Sequence, residues 1–124
     1  MQLHMGFQKL IAYEKGFELA MHIFEISKSF PKEEKYALTD QIRRSSRSVC
    51  ANIAEAYRKR MYKKHFISKL TDADAENSET IVWIEFAKSC GYIKNPVASM
   101  FLKECQEIGK LIQYMINNPE KFGV

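Results

Sequence analysis

Residues Gln41 to Lys64 read QIRRSSRSVCANIAEAYRKRMYKK, and the rest of the chain is arranged around them. This stretch holds eight of the nineteen lysines and arginines but one acid, Glu55. Its formal charge is +7 in a chain of net charge +4, which leaves −3 for the other hundred residues. Beneath the charge lies a helical pattern. Leu38, Ile42, Ser45, Val49, Ile53 and Ala56 recur every three or four residues, the spacing of one inward stripe on a helix. A polar face this basic on so regular a stripe predicts a half-buried helix in a helical domain.

Three further stripes flank it. Towards the N-terminus, Phe7, Leu10, Ile11, Phe17, Ala20, Met21 and Phe24 mark a first helix, with Gly16 a weak point costing roughly 1 kcal/mol. Phe30-Pro31 should stop it, because the residue before proline is pushed out of the helical region. Thr39 is a candidate cap for the second helix. After a charged break near Arg60 to Lys63, a third stripe follows Phe66, Leu70, Ala73, Asn77, Ile81, Ile84 and Ala87, and Gly91 is placed to cap its end. Asn95 and Pro96 suit the start of a fourth helix, as cap and first helical residue. That helix runs through Val97, Phe101, Cys105, Ile108, Ile112 and Met115 to Asn117-Asn118-Pro119. Approximate spans of 7–29, 37–60, 64–90 and 96–118, joined by short loops, predict a single-domain, all-α, up-down-up-down four-helix bundle.

Length and composition agree. A 124-residue chain is one domain in size and can bury roughly two thirds of its unfolded surface. At 46% hydrophobic and 27% charged residues it is not a disordered tail. Three cysteines, Cys50, Cys90 and Cys105, are an odd number without a C-x-x-C pair; buried thiols in a reducing cytoplasm are expected. No apolar run approaches the ~20 residues needed to span a bilayer, and Met1 to Gly6 reads as a loose lead-in without signal-peptide character. No membrane role is expected.

The motifs argue against an enzyme. A di-metal bundle needs a Glu-x-x-His pair on each of two helices, and none occurs; His22-x-x-Glu25 has the order reversed. His4 and His65 have no patterned partners. Asp72, Glu76 and Glu79 share a helical face, which reads as charged surface before cation site. A phosphate loop and a nucleophile elbow are both missing. No cofactor, metal or catalytic residue is expected.

The residues Phe30-Pro31-x-x-Glu34, Leu38-x-x-Gln41-Ile42-Arg43-Arg44, Ser48 and Asn52-Ile53-Ala54-Glu55 resemble the 23S rRNA intervening-sequence proteins. Phe66, Leu70, Ala73, Glu79, Ala87 and Gly91-Tyr92-Ile93 extend the likeness, which covers about Phe7 to Ile93. That family is named for reading frames within insertions in bacterial 23S rRNA genes. It is similar in fold to accessory proteins of diversity-generating retroelements. The resemblance implies a homo-oligomeric four-helix bundle, with pentamers known, a nucleic-acid role and no catalysis. Cys50 stands where the family commonly has proline, and Ala56 where it has glycine; both changes favour an unbroken second helix. Ala75-Glu76 replaces a Gly-Ser pair of the third helix.

Three uses remain open for the basic helix: a solvated face, ion pairs with carboxylates of the same or a neighbouring subunit, or phosphate binding. Stepped at 3.6 residues per turn, Arg43, Arg47 and Arg58 fall on one flank with Arg44 further round, a line ~22 Å long. Candidate contacts to RNA or DNA are Arg43, Arg44, Arg47, Arg58, Lys59, Arg60, Lys63 and Lys64, with Tyr57 and Tyr62 able to stack on unpaired bases. The rival is an assembly module whose arginines meet Glu55, Glu76 or Glu79. Asn52, Glu55, Asn77 and Glu79 are candidate structural polar groups. Ile81, Val82, Trp83 and Phe86 make the third helix apolar almost all round, and the surplus is expected to face another subunit.

Overall fold

The computed structural model describes residues 6–124; His4 and most of the lead-in lie outside them. Four α-helices account for the described chain: α1 (Ile11–Ser27), α2 (Leu38–Arg58), α3 (Lys63–Ser89) and α4 (Asn95–Asn117), with no strand among the described residues. Each packs on its neighbour in sequence and α4 closes back on α1, with the α2–α3 pair the most extensive. The fold is a single four-helix bundle. One continuous core runs through it, from Leu19 and Ile23 through Ile42, Ile53, Phe66, Leu70 and Ile84 to Phe101, Ile108 and Ile112.

α2 follows its sequence pattern closely. Leu38, Ile42, Ser45, Val49, Ile53 and Ala56 are all buried on its inward face, and the helix is unbroken over 21 residues. Its start is not capped by Thr39, which is buried. The carboxylate of Glu34 accepts from the Leu38 N–H at 3.3 Å instead, and its other oxygen accepts from the Tyr92 hydroxyl at 2.8 Å. One acid thus ties the start of α2 to the α3–α4 corner. This corner is closed by Gly91, at φ 77°, where the Tyr92 N–H reaches the Ala87 carbonyl at 2.9 Å and the Gly91 N–H that of Lys88 at 3.0 Å. Such a cap requires a left-handed residue, which glycine adopts without strain. Asn95 is not the cap of α4: it is the first helical residue, after an extended Lys94.

α1 departs most from its sequence pattern. A 3-10 turn over Phe7–Lys9 and an extended Leu10 precede it. Its buried face is Ala12, Gly16, Leu19, Ala20, Ile23 and Ser27. Ile11, Phe17 and Met21 are 57%, 52% and 44% exposed, so these members of the stripe read as core face outward while Ala20 stays buried. The physical reason is close approach. A Cβ on Gly16 would stand 3.2 Å from the Cys50 sulfur and 3.6 Å from a Val49 methyl, so α1 meets α2 along its small residues. Its aromatic residues are left to the outside.

α3 turns its inward face through Phe66, Leu70, Ala73, Asn77, Thr80, Ile84 and Ala87. Thr80, and not Ile81, occupies the core position, because its hydroxyl pairs with that of Ser45 at 2.8 Å and donates to the Glu76 carbonyl at 2.9 Å. Cys50 and Cys105 are buried thiols, and burial pushes both up to about 12. Cys90 is exposed at the α3 terminus, contrary to the expectation for all three. Among the described residues no helix is long and apolar enough to cross a membrane.

Candidate nucleic-acid interface

The basic residues of α2 divide into three groups. Arg44 turns towards α3, where it binds the carboxylates of Glu79 and Glu76. Glu79 also accepts from the indole N–H of Trp83 at 3.0 Å. Hydrogen bonding from Trp83 and the nearby Arg44 guanidinium hold the Glu79 carboxyl below the usual range, and the bond to Glu79 raises Arg44 further. Arg44 is therefore occupied, as the ion-pair reading expects. Glu55 is not its partner: it takes Lys69 of α3 at 2.8 Å, which lowers the Glu55 carboxyl.

The second group faces α1. Arg43 donates through Nε to the Ser27 hydroxyl at 2.7 Å and reaches the Phe24 carbonyl at 3.4 Å. Its guanidinium lies 4.9 Å from the centre of the Phe24 ring, with Arg47 at 5.7 Å and the Lys28 ammonium at 4.8 Å. One ring thus gathers three cations, and cation–π attraction offsets part of their repulsion. At the far end Arg58 stands 5.8 Å from the Phe7 ring. Among the described residues no carboxylate lies within ion-pair distance of Arg43, Arg47 or Arg58, while Lys28 takes Glu25 at 3.2 Å. Asp40, Arg43, Arg44, Arg47, Ser48 and Ala51 line an open groove of about 510 Å³.

The third group sits at the α2–α3 corner. Arg60 is structural: it donates to the Tyr57 carbonyl at 2.8 Å and the Phe122 carbonyl at 3.1 Å, with its guanidinium 3.7 Å over the Tyr57 ring. That pins the C-terminal turn to the end of α2 and occupies Tyr57. Lys59, Lys63 and Lys64 are exposed, as is Tyr62, whose ring lies 5.7 Å from that of His65.

The other candidates separate by burial. Asn52 turns back on its own helix and donates to the Ser48 carbonyl at 2.9 Å. Asn77 crosses helices, donating to the Cys105 carbonyl of α4 at 2.9 Å, while its own carbonyl oxygen has no partner. Ile81 and Trp83 lean on the core, whereas Val82 and Phe86 remain 44% and 55% exposed. Among the described residues no group of three or more His, Cys, Asp or Glu side chains is placed to hold a metal.

The sequence pattern took Phe17 and Phe24 of α1 as core and passed over Tyr13; in the structure the three form an aromatic row on the outer side of the helix. Tyr13, Phe17 and Phe24 lie four and seven residues apart, one side of a helix; Arg43 and Arg47 approach Phe24, and Tyr13 and Phe17 line a groove with Arg47. The signal was present in that spacing, beside the second stripe of Ala12, Gly16, Leu19, Ala20 and Ile23.

Trp83 is the single tryptophan and reports directly on Glu79. Glu79 titrates low in the folded chain, so its pairing stabilises above the unfolded carboxyl's pKa and is lost as pH falls through the lower, folded one. Trp83 emission is expected to shift on acidification below the ordinary carboxylate range. Arg44→Ala should move that midpoint upward, with little change in stability at neutral pH because the pair is solvent-screened. An unmoved midpoint would show that Arg44 does not act on Glu79.

Comparison with known proteins gives relatives of the same shape. A model of the 23S rRNA-intervening sequence protein family matches residues 8–114. The chain is also similar to a crystal structure from Bacteroides thetaiotaomicron VPI-5482, a protein of unknown function from the S23 ribosomal protein family. The two are 31% identical over 91% of this chain and 99% of that one, with a TM-score of 0.78. No curated protein matches.

Proposed function

The chain belongs to the 23S rRNA-intervening sequence protein family, and we propose that it is a non-catalytic, homo-oligomeric protein that binds nucleic acid through α2. One observation carries this reading. Arg43, Arg47 and Arg58 share a flank of α2 without a carboxylate partner, while Arg44, one residue away, is paired. Acids capable of pairing lie close by, but Glu76 and Glu79 of α3 go to Arg44, and Glu55 of α2 and Asp72 of α3 go to Lys69. The flank is thus left free of carboxylates: Arg47 and Arg58 are exposed, and Arg43 bonds only neutral oxygens of Ser27 and Phe24, so the row keeps planar donors of the kind that suit phosphate oxygens.

Assembly is the second part of the proposal. Val82 and Phe86 of α3 are an exposed apolar pair on a helix that already fills its core stripe, and the family resemblance favours a pentamer. Repetition of a basic flank around a ring would turn modest attraction per subunit into strong binding by avidity.

Fluorescence anisotropy with labelled single-stranded RNA, structured RNA and duplex DNA at two salt concentrations tests the reading. Wild type should bind at least one of them, and weaken steeply as salt rises. Arg47→Glu should lose affinity about tenfold and flatten the salt dependence, since each lost phosphate contact lowers the slope by about one. Arg43→Glu/Arg47→Glu should lose more, at unchanged oligomer mass. Absence of binding by wild type, with the double variant falling to smaller species, would reassign the arginines to assembly.

A further inference from the structure

A second groove adjoins the basic one. It holds about 430 Å³ between α1 and α2 and shares Arg47 and Ala51 with its neighbour. Ala20, Cys50, Ala51 and Ala54 form a low floor, and Phe7, Tyr13, Phe17 and Met21 stand around it. The aromatic walls are in register: the Phe7 and Tyr13 ring centres are 5.3 Å apart, edge to face, and those of Tyr13 and Phe17 are 6.0 Å apart. Phe17 is half exposed, so one face of its ring is open. The volume is that of a small-ligand site.

Charge narrows the occupant. No carboxylate lines this groove. Arg47 borders it where it meets the basic groove, and Arg58 stands over Phe7 at the other end. A flat apolar site between two unpaired cations is complementary to a flat apolar group carrying anions on both sides. Nucleic acid supplies that when a base is unpaired: every base has a π-face, and phosphates flank it. A duplex does not, because its bases are stacked on one another and it presents phosphates alone.

We propose that the aromatic groove between α1 and α2 seats an unpaired base of single-stranded nucleic acid, stacked on Phe17 and Tyr13, with its flanking phosphates on Arg47 and Arg43 to one side and Arg58 to the other. The inference rests on the nucleic-acid reading above and sharpens it from phosphate binding to recognition of strand state.

The experiment compares a short unstructured RNA with an abasic oligonucleotide of equal length, which keeps the phosphates and lacks the bases. Wild type should prefer the base-bearing strand by about 5- to 140-fold, the equivalent of stacking one base. Phe17→Ala should abolish that preference and leave abasic affinity and its salt dependence unchanged. Phe17→Tyr should retain the preference. Ala51→Phe, which fills the groove from the α2 side, should lose it. Equal binding of both strands by wild type would overturn the base site while leaving the phosphate reading intact. Binding of neither would remove both. A fall in oligomer mass in Phe17→Ala would assign the groove to a neighbouring copy and overturn the proposal.

Discussion

Asn77→Asp is expected to destabilise the bundle by about 3–5 kcal/mol at neutral pH, the cost of a buried charge without a partner. Asn77 is buried at the middle of α3, and its amide nitrogen donates to the Cys105 carbonyl across the α3–α4 contact. An ionised aspartate would face that carbonyl with an acceptor against an acceptor. The carboxylate of Asp74 shares its side, both lying within 4 Å of a Cβ placed on Gly109 of α4, and would repel it. Burial raises the folded pKa of such a carboxyl above its unfolded value of about 3.9. The penalty is therefore absent below the unfolded pKa, grows as pH rises towards the folded one, and is constant above it. A protonated aspartate can donate to the Cys105 carbonyl, so acid should restore the native contact.

Urea unfolding at several pH values measures this, with Asn77→Leu as the comparison. Leucine removes the one cross-helix bond and also the unpartnered oxygen of Asn77, two effects of opposite sign. Its stability should lie within about 1 kcal/mol of wild type and vary with pH as wild type does. A pH-independent loss in Asn77→Asp equal to that of Asn77→Leu would mean that the site is wet.

The two asparagines also show how far a sequence can be read. Both sat on or beside an inward stripe, and both read as structural polar groups. Asn77 spans two helices, and Asn52 closes on its own backbone four residues away. Periodicity gives the face of a residue but not the reach of its side chain. α2 and α4 each carry one dominant apolar stripe, so their inward faces were legible. α1 carries two, one of large aromatic residues and one that sets Ala12, Gly16 and Ala20 among Leu19 and Ile23. Hydrophobicity alone favours the first, whereas packing chose the second because Gly16 lets the backbones of α1 and α2 approach. The partner of each arginine was out of reach for a different reason. Glu76 and Glu79 lie 32 and 35 residues from Arg44, and which flank of α2 faces them depends on how the bundle closes. Once it closes, Arg44 meets α3 and Arg43 meets α1, and adjacent arginines acquire opposite fates.

Phe66→Ala is expected to cost about 3–5 kcal/mol, a large part of the 5–15 kcal/mol that holds a domain together. Phe66 is fully buried and the bulkiest such side chain in the core. It lies in the first turn of α3, where its N–H bonds the Tyr62 carbonyl at 2.9 Å, directly after the four-residue connection from α2. The ring therefore anchors the corner of the most extensive helix pair, and its removal leaves a cavity that two fixed helix ends cannot collapse. A fall in Tm on the order of 10–20 °C follows for a domain of this size. Phe86→Ala supplies the internal control, with the same chemistry on the same helix. Phe86 is more than half exposed and rests beside Trp83, with ring centres 6.0 Å apart. Its truncation should cost at most about 0.5 kcal/mol within one subunit. If Phe86 lies between subunits as proposed, the same substitution should lower the oligomer mass and make Tm depend on protein concentration, since association stabilises by mass action. Thermal unfolding and sedimentation of both variants separate the two roles. Phe66→Ala should lower Tm at every concentration, and Phe86→Ala should act through assembly alone. An equal loss from both at all concentrations would mean that Phe86 is buried within its own bundle, and the α3 surface proposed for self-association would then lose its anchor.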